Sequence, residues 1–442
     1  MFATNAAMTL REKGIPTTRF VGYERLEETA TVLAIVGEGD RFLDSISGGA
    51  AEVRIVLDGS PFYAQGGGQV GDRGVLKGPA GEAEVQSTSP LDGYHLHLLS
   101  STNGTLKVGD TVTASVDTSA RRATERNHTA THLLHAALKN VVGEHVSQAG
   151  SEVSPERLRF DYTHGDRLTE AQLRAIEDEV CGIIMTAEAV VPAERGLDEA
   201  RAAGFVAMFG EKYGDTVRTL SVGEYSKELC GGTHVSNSGA IGPFRIVSDS
   251  AVSAGTRRIE AITGQSALEA THGERAKLAS TAKLLKAPQE EVETKLQALV
   301  DEVKQLRKDL AKATAADLGK LVDDLFAAAQ TTPDGTRTAV FECPGITMKE
   351  AQELLTRAKQ KASTGWAGVV LVPGDAEVLV AAGVSPDLTD RVRAGDLVKE
   401  LTGILGGGGG GRPELAQGKG RDRNALPAAA AKAKEMLASA LG

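Results

Sequence analysis

The chain of 442 residues has little cysteine and few aromatic side chains: three cysteines, one tryptophan and an aromatic content of 4%. So few cysteines exclude a disulfide-stapled scaffold and indicate a reducing compartment, because such scaffolds are rich in paired cysteines. No apolar run approaches the ~20 residues that a membrane-spanning helix needs. The first residues, Met1–Asn5, lack the charged head and apolar core of a secretory signal. We therefore expect a cytoplasmic protein without a membrane partner.

Positive charge is also scarce. Lysine and arginine number 49 against 59 acidic residues, which gives a net charge of −10, whereas indiscriminate nucleic-acid binders are usually basic. A specific nucleic-acid partner stays compatible with this balance, because local patches set the phosphate contacts. The candidate patches are Arg121, Arg122 and Arg126; Arg257 and Arg258; and Arg412, Lys419, Arg421 and Arg423. Each patch could equally be a solvated surface, but glycines near the last one would bring backbone amides close to phosphates.

Two short segments contain residue types that bind metals. His128 and His132 lie four residues apart in a helical-looking stretch, so both imidazoles share one helix face. Cys230 and His234 flank two glycines, which allow a tight turn. Three imidazoles and a thiolate form a tetrahedral donor set suited to zinc. Packing would explain a lone histidine pair, but two correctly spaced pairs among nine histidines and three cysteines favour a metal site.

Two known classes of zinc enzyme do not fit these segments. A zinc protease helix carries H-E-x-x-H with the glutamate as general base, and Thr129 stands at the glutamate position here. A zinc nucleobase deaminase needs H-x-E together with P-C-x-x-C. Residue 130 is alanine, and Cys230 has no cysteine three residues later. The donor set therefore indicates another zinc chemistry.

The metal-binding segments also carry a family resemblance. Residues 127–138 (NHTATHLLHAAL) and 228–235 (ELCGGTHV) resemble the editing domain of alanyl-tRNA synthetase and the free-standing alanyl-tRNA editing proteins. Further segments agree with it: FYAQGGGQVGD at 62–72, QAGS at 148–151, LRFDY at 158–162 and GTRRIE at 255–260. The glycine run 406–411 with RPELAQG after it resembles the last domain of the same synthetase.

The patterns and the resemblance together predict an α+β multidomain protein. We expect an N-terminal lead-in (1–22), a small β-barrel (23–117), an α+β zinc-containing editing domain (118–265), a helical coiled-coil linker (266–330) and a small C-terminal tRNA-binding α/β domain (331–442). Short strands between Gly, Asp and Pro are typical of a barrel, and helices that alternate with strands are typical of an α/β domain.

Individual elements follow from the same patterns. The predicted strands are Thr29–Ile35, Ala51–Leu57, Glu82–Thr88, Tyr94–Leu99, Thr111–Val116, Val217–Val222, Gly242–Ser248, Thr336–Phe341, Gly368–Val372 and Glu377–Ala382. The predicted helices are 120–142, Glu170–Ala187, Lys349–Ala362, Asp390–Leu405 and Leu426–Leu441. His95 and His97 alternate with apolar residues, so we place them on the polar face of a strand and not among the metal ligands.

An apolar stripe of helical spacing follows the editing segment. It consists of Leu285, Val292, Leu296, Leu299, Val303, Leu306 and Leu310. The steps of three and four residues predict an a/d seam. Because the stripe is only about three heptads long, a homodimer coiled coil through 285–310 and a helical hairpin within one chain both remain open.

The resemblance implies hydrolysis of the ester that joins serine or glycine to alanine-accepting tRNA. An alanine pocket cannot exclude the smaller glycine sterically and rejects serine poorly, so a second site has to test the product. We expect no alanine activation by this chain, since nothing in it resembles an aminoacylation domain, and a separate aminoacylation subunit is a candidate partner. The glycine run is no ATP site, because a Walker A loop needs G-K-[ST] and here Arg412 and Pro413 follow.

The resemblance also suggests roles for other residues. Thr131 is the catalytic-site candidate for recognising the serine hydroxyl; its alternative is a hydrogen bond to its own helix. Gln148 is the second candidate, for positioning substrate or water. Gly66, Gly67 and Gly68 are candidates for approaching the tRNA acceptor end; their alternative is a plain β-turn. Arg412, Lys419, Arg421 and Arg423 are the tRNA-binding candidates.

Two questions stay open at this point. Four protein ligands would close the zinc shell, which is the structural pattern, whereas a ligand that swings away would let zinc hold water or substrate. The second question is whether the chain is an esterase or a non-catalytic tRNA-binding and dimerising module that works only with a separate aminoacylation half.

Overall fold

The computed structural model describes residues 3–48, 52–207 and 213–442. The chain folds as two compact units, Met1–Ser280 and Thr281–Gly442. None of the helices in the described ranges combines the length and the apolar character that crossing a bilayer requires.

The first unit opens with helix α1 (Ala3–Glu12) and a small β-barrel. Its strands are β1 (Arg19–Phe20), β2 (Glu27–Val36), β3 (Phe42–Leu43), β4 (Ser45–Ser47), β5 (Arg54–Leu57), β6 (Gly59–Ser60), β7 (Gly74–Lys77), β8 (Gly81–Leu91), β9 (Tyr94–Lys107) and β10 (Thr111–Val116). The ring closes because β10 pairs with both β7 and β2 in the order β10–β7–β8–β9–β5–β2. Alternate residues such as Ile35, Ile55 and Leu76 fill the interior. The predicted barrel is confirmed, although the predicted strand Ala51–Leu57 begins outside the described residues.

His97 corrects the prediction of a polar strand face. It is fully buried, and its imidazole bonds the Ser60 hydroxyl at 2.7 Å and the Ile55 carbonyl at 2.9 Å. Burial lowers the pKa of His97 to about 4, so the ring is neutral at physiological pH. His95 is half-buried and bonds the Phe62 carbonyl. Neither histidine belongs to the cluster of metal-binding side chains.

The rest of the first unit is an α+β domain built around one long helix. Its elements are α2 (Thr118–Val142), β11 (Gln148–Val153), β12 (Leu158–Thr163), α3 (Glu170–Thr186), β13 (Val190–Gly196), α4 (Leu197–Ala202), β14 (Thr216–Val222), β15 (Ser226–Leu229), β16 (Phe244–Ser253), β17 (Thr256–Thr263) and α5 (Gly264–Leu285). Asp117 caps α2 by accepting the Ala120 N–H. The sheets β11–β12–β17–β16 and β13–β14–β15 enclose a core that includes Leu133, Phe160 and Ile176.

Two arginines proposed as surface cations are internal. Arg121 is fully buried; it pairs with Asp72 and donates to the Gly22 and Pro61 carbonyls, so it joins α2 to the barrel. Arg257 is 6% exposed and pairs with Asp249 at 2.7 Å. The prediction of a surface patch was wrong for these two arginines. Each guanidinium is buried against a carboxylate, which is the partner that a charge needs once it leaves water.

The predicted apolar stripe is interrupted by a turn. Leu285 ends α5, Lys286 adopts a positive φ of 51°, and residues Gln289–Glu291 form a short 3-10 turn after Pro288. The next helix is α6 (Val292–Ala327). Leu285 therefore does not share a helix with Val292–Leu310, and only the part from Val292 onwards forms one seam.

The second unit contains α6 and a six-stranded mixed sheet. The further elements are β18 (Gln330–Thr331), β19 (Arg337–Glu342), α7 (Met348–Ala362), β20 (Trp366–Pro373), β21 (Val378–Val384), α8 (Ala394–Ile404), β22 (Gly408–Arg412), β23 (Leu415–Gly420) and α9 (Leu426–Leu441). The strand order is β18–β19–β20–β21–β23–β22, with β19 and β20 parallel. Trp366 and Leu354 belong to one core cluster, Leu371 and Leu401 to another, so the predicted α/β layering is confirmed.

The glycine run forms an edge strand. Residues 408–412 are β22, which pairs with β23 and packs under α8. A Cβ on Gly409 would lie 2.7 Å from Cγ1 of Val398, so the close approach of α8 leaves no room for a side chain there. The run is therefore ordered structure and not an open loop.

Candidate metal centre

The structure brings the four predicted ligands together. One ligand atom from each of His128, His132, Cys230 and His234 lies within 4.8 Å of the others. The Cys230 Sγ is 3.5 Å from Nε2 of His128 and 3.2 Å from Nε2 of His234. A tetrahedral ion with bonds of about 2.0–2.3 Å to nitrogen and sulfur fits donors at such separations.

Gln69 from the barrel fixes the tautomer of His128. The Gln69 Oε1 accepts the backbone N–H of Thr233 at 3.0 Å, which identifies it as the amide oxygen. The same oxygen lies 2.8 Å from Nδ1 of His128, so this nitrogen must donate. The lone pair of His128 is therefore on Nε2, which faces Cys230.

Glu228 plays the same part for His132. Its carboxylate bonds Nδ1 of His132 at 2.6 Å and Nδ1 of His135 at 2.8 Å. A carboxylate only accepts when it is ionised, so both histidines donate through Nδ1. Among the described residues, Nε2 of His132 is buried without a hydrogen-bond partner. This nitrogen lies within 4.8 Å of the donor atoms of His128, Cys230 and His234, so its lone pair is suited to bind a metal held by all four residues.

Thr129 orients the third imidazole. Its hydroxyl donates to the Glu125 carbonyl at 2.9 Å and lies 3.2 Å from Nδ1 of His234. Because the hydroxyl hydrogen is used in the bond to the Glu125 carbonyl, Nδ1 of His234 donates its hydrogen to the hydroxyl oxygen of Thr129. All three histidines thus present Nε2 to the thiol, and each is held by a hydrogen bond behind it.

Burial and charge act against each other on the pKa values of this cluster. Burial raises the pKa of Cys230, but the neighbouring histidines bring it well below its usual value. Burial lowers the pKa of His132, and the charges of Glu228 and Cys230 outweigh this and raise it to about 10. These contacts favour the thiolate of Cys230, which is the form in which cysteine binds a metal. A metal bound by His132 would take the place of a proton on its imidazole.

The turn after β15 depends on close packing. A Cβ on Gly232 would lie 2.1 Å from Cε1 of His128, so only glycine lets the chain pass this ligand. Arg218 on β14 holds the turn by donating to the carbonyls of Cys230 at 2.8 Å and Gly232 at 2.9 Å. The Tyr23 hydroxyl donates to the carbonyl of Gly231 between them.

The two catalytic-site candidates make local hydrogen bonds. The Thr131 hydroxyl donates to the Asn127 carbonyl at 2.8 Å, which is the helix-internal bond given above as its alternative. Gln148 donates from Nε2 to the Ser151 hydroxyl at 3.0 Å. Their roles toward serine remain predictions.

Gly66, Gly67 and Gly68 form a tight turn that positions Gln69. Gly66 and Gln69 exchange two backbone hydrogen bonds, and Gly67 and Gly68 have φ values of 57° and 81°. A Cβ on Gly68 would lie 2.3 Å from Oγ of Ser151. The turn thus packs against β11 and delivers Gln69 to His128. A role of these glycines toward tRNA stays a prediction.

The C-terminal cations lie around the glycine hairpin. Arg412, Lys419, Arg421 and Arg423 are all exposed. Lys419 pairs with Glu377 at 2.9 Å. Their exposure is what phosphate contacts would require.

A cavity of about 400 Å³ reaches the cluster from one side. Its walls include His234 of the cluster and its neighbour Thr233, together with Tyr23, Arg218 and the ion pair of Arg122 with Glu125. The cluster is therefore next to a space with charged walls that can receive a small group.

The residues that sequence reasoning missed are the ones that orient the ligands: Gln69, Thr129, Glu228 and, behind the Cys230 turn, Arg218 and Tyr23. One signal was present. Metal-bound histidines usually donate their second nitrogen to a carboxylate or carbonyl, and Glu228 is the only acidic residue in the segment 228–235. Gln69 gave no such signal, because only the fold brings it to Thr233.

Comparisons with known proteins agree with this architecture. Residues 3–120 match the family of tRNA synthetases class II (A), residues 217–260 the threonyl and alanyl tRNA synthetase second additional domain, and residues 335–439 the DHHA1 domain. The first match covers the barrel, and the second contains Cys230 and His234. The fold and the site are thus of the class found in tRNA synthetases.

Curated relatives narrow this class. Alanine–tRNA ligase of Chromohalobacter salexigens is 44% identical over 431 residues, 96% of this chain and 49% of that protein. The ligase of Hydrogenovibrio crunogenus is 41% identical over 427 residues, 96% of this chain and 48% of that protein. A solved structure, the C-Ala domain from Aquifex aeolicus alanyl-tRNA synthetase, is 26% identical and covers 25% of this chain and 96% of that one, with a TM-score of 0.23.

The chain belongs to the family formed by the C-terminal halves of alanyl-tRNA synthetases. It spans about half the length of the curated relatives it matches.

Proposed function

We propose that the chain hydrolyses the ester joining serine or glycine to alanine-accepting tRNA, with zinc bound by His128, His132, Cys230 and His234. The observation that carries the proposal is the set of four converging donors beside a cavity, in a relative of alanyl-tRNA synthetases. Three imidazoles and a thiolate are typical ligands of zinc. A cytoplasmic location fits the three free cysteines.

Each residue of the site has a distinct task in this proposal. Zinc, when bound, supplies a positive centre that fixes the pocket and can polarise an oxygen. Glu228 and Gln69 hold two imidazoles in the ligating orientation, and Arg218 holds the Cys230 turn. Thr131 and Gln148 remain the candidates for reading the amino acid and positioning water.

The test is single-turnover hydrolysis with the chain in excess over seryl-, glycyl- and alanyl-tRNA. We expect the zinc-loaded chain to deacylate the first two faster than the third, and the zinc-stripped chain to do so much more slowly. Zinc content is measured on the same samples. Seryl-tRNA that decays no faster with zinc-loaded chain than in buffer alone would contradict the proposal.

A second candidate is a non-catalytic module that binds tRNA and dimerises, working with a separate aminoacylation subunit. The exposed seam of α6 favours it: Leu296 is 51% exposed, Leu306 59% and Leu310 68%. Apolar residues at a/d spacing with that exposure are typical of an unpaired coiled-coil seam.

Sedimentation of the full chain tests the seam. Val303→Glu with Leu306→Glu should convert a dimer to monomer, because the two charges would face each other across the seam. The matched control is Thr294→Glu with Gln305→Glu, which adds the same charge on the opposite face of α6. A monomeric parent chain, or a dimer that survives the seam substitutions, would count against dimerisation through α6.

A further inference from the structure

Tyr23 is a half-exposed aromatic residue at the mouth of the cavity beside the metal ligands. The residue is 50% exposed. Its hydroxyl is fixed to the Gly231 carbonyl, one residue from the ligand Cys230. Phe20 packs edge-on against the ring, with centroids 4.9 Å apart. The hydroxyl bond and the contact with Phe20 thus hold the ring in one orientation on the cavity wall, where its exposed part can contact a bound group.

Arg218 lies over the same ring. Its guanidinium carbon is 4.2 Å from the Tyr23 centroid, and its Nη1 is occupied by the carbonyls of Cys230 and Gly232. Among the described residues it has no carboxylate partner, in contrast to Arg122, which pairs with Glu125 at 2.8 Å. Arg218 thus places a positively charged group on the cavity wall that is held by backbone carbonyls and not by a salt bridge.

A partly exposed aromatic ring with a guanidinium stacked on it offers planar groups on which a nucleic-acid base can stack and a positive charge for its phosphate. The cavity of about 400 Å³ continues from this platform to His234, and pockets of about 300–1,000 Å³ hold small organic ligands. A nucleotide on the platform would therefore place an ester on its ribose toward the metal ligands.

We propose that Tyr23 and Arg218 form the subsite for the 3′-terminal nucleotide of the tRNA, with the base stacked on Tyr23 and the phosphate near Arg218. This assignment rests on the proposed deacylation for the identity of the substrate. It adds that Tyr23 at the start of the barrel segment, and not only the metal-binding domain, holds the reacting end.

The test uses uncharged alanine-accepting tRNA whose terminal adenosine is replaced by 2-aminopurine riboside, a fluorophore that is quenched by stacking. Binding to the full zinc-loaded chain should quench the fluorescence. Tyr23→Leu should remove most of the quench with zinc content unchanged, while Tyr23→Phe, which keeps the ring and loses only the hydroxyl bond, should retain it. Tyr23→Trp, which enlarges the stacking surface, should deepen the quench even if the leucine variant loses zinc.

Seryl-tRNA hydrolysis gives the second readout. Tyr23→Leu should raise KM about ten- to a hundredfold, the range that loss of one base-stacking aromatic produces, with a smaller effect on kcat. Normal KM and an unchanged quench in Tyr23→Leu would overturn the subsite while leaving deacylation intact. If the chain hydrolyses no seryl-tRNA but the quench is still lost in Tyr23→Leu and kept in Tyr23→Phe, the deacylation proposal fails and the subsite proposal is supported.

Discussion

The two compact units place their polar residues in opposite ways. In the first unit the polar groups that matter are buried: Gln69 is 0% exposed, Glu228 6% and Arg121 0%. In the second, the four cations around the glycine hairpin are exposed. Buried polar groups need every partner, because an unmade hydrogen bond cannot be replaced by water. Substitutions in the first unit should therefore change metal affinity and the geometry of the metal site. Those in the second unit should change the affinity for tRNA and its dependence on salt.

The largest effect is expected from Cys230→Ala. Losing a ligand removes a bond to the metal and leaves three imidazoles without the thiolate charge. Zinc affinity should fall by more than about a hundredfold, since loss of an orienting residue alone costs about 10- to 100-fold. Chelator competition measures this, and deacylation should fall in parallel. Cys343→Ala in the second unit is the matched control, and a chain that loses zinc equally on that change would refute the ligand assignment.

Glu228→Gln comes next. It keeps the shape of the side chain and removes the charge that holds His132 and His135. We expect zinc affinity to fall about 10- to 100-fold, measured by the same competition. Glu224→Gln is the control, because Glu224 is exposed and pairs with Lys227. Equal zinc affinity in both variants would show that Glu228 does not orient the ligand.

The third prediction concerns the second unit. Replacing Arg412, Lys419, Arg421 and Arg423 together with Ala should weaken tRNA binding about tenfold and reduce the slope of log K against log salt by up to about 3–4. Lys419 should contribute least, because it already pairs with Glu377. Binding is measured at several salt concentrations.

Its control removes four exposed cations from α6: Lys304, Arg307, Lys308 and Lys312. Zinc content should stay constant in both variants. An identical salt slope in the hairpin variant and the parent chain would show that these four cations do not contact the phosphates of the tRNA.

The smallest effect is expected at Thr131. Thr131→Val keeps the shape and removes the hydroxyl, so the ratio of seryl- to alanyl-tRNA hydrolysis should narrow about two- to tenfold, the value of one neutral hydrogen bond. Zinc should remain bound. An unchanged ratio with a lower melting temperature would mean that the bond to the Asn127 carbonyl is the only role of this hydroxyl, and Gln148 would become the candidate for reading serine.

Local sequence patterns predicted the helices and strands whose own residues have a clear helical or alternating periodicity. Thr111–Val116 and Leu426–Leu441 have the bounds that alternation and helix periodicity indicate. The strand Gly408–Arg412 had no such signal, because glycine has poor strand propensity. Its conformation is set by pairing with β23 and by α8, which approaches so closely that a side chain at Gly409 is excluded.

The metal centre shows the same difference between what local sequence predicts and what tertiary contacts determine. Spacing alone identified the four donors, because each pair is local. The orienting contacts are not local: Gln69 reaches Thr233 across 164 residues of sequence. The burial of Arg121 and the turn between Leu285 and Val292 were missed for a related reason, since both depend on how distant or irregular segments meet.

The long separation of the ligands has a consequence for synthesis of the protein. His128 and His132 leave the ribosome well before Cys230 and His234, and a ribosome adds about 5–20 residues per second. His128 and His132 are therefore synthesised several seconds before Cys230 and His234. The four-residue site can form only after strand β15 has paired and its turn has packed against α2. A metal held by these four residues would therefore bind late in synthesis, after the barrel segment that contains Gln69 has emerged from the ribosome.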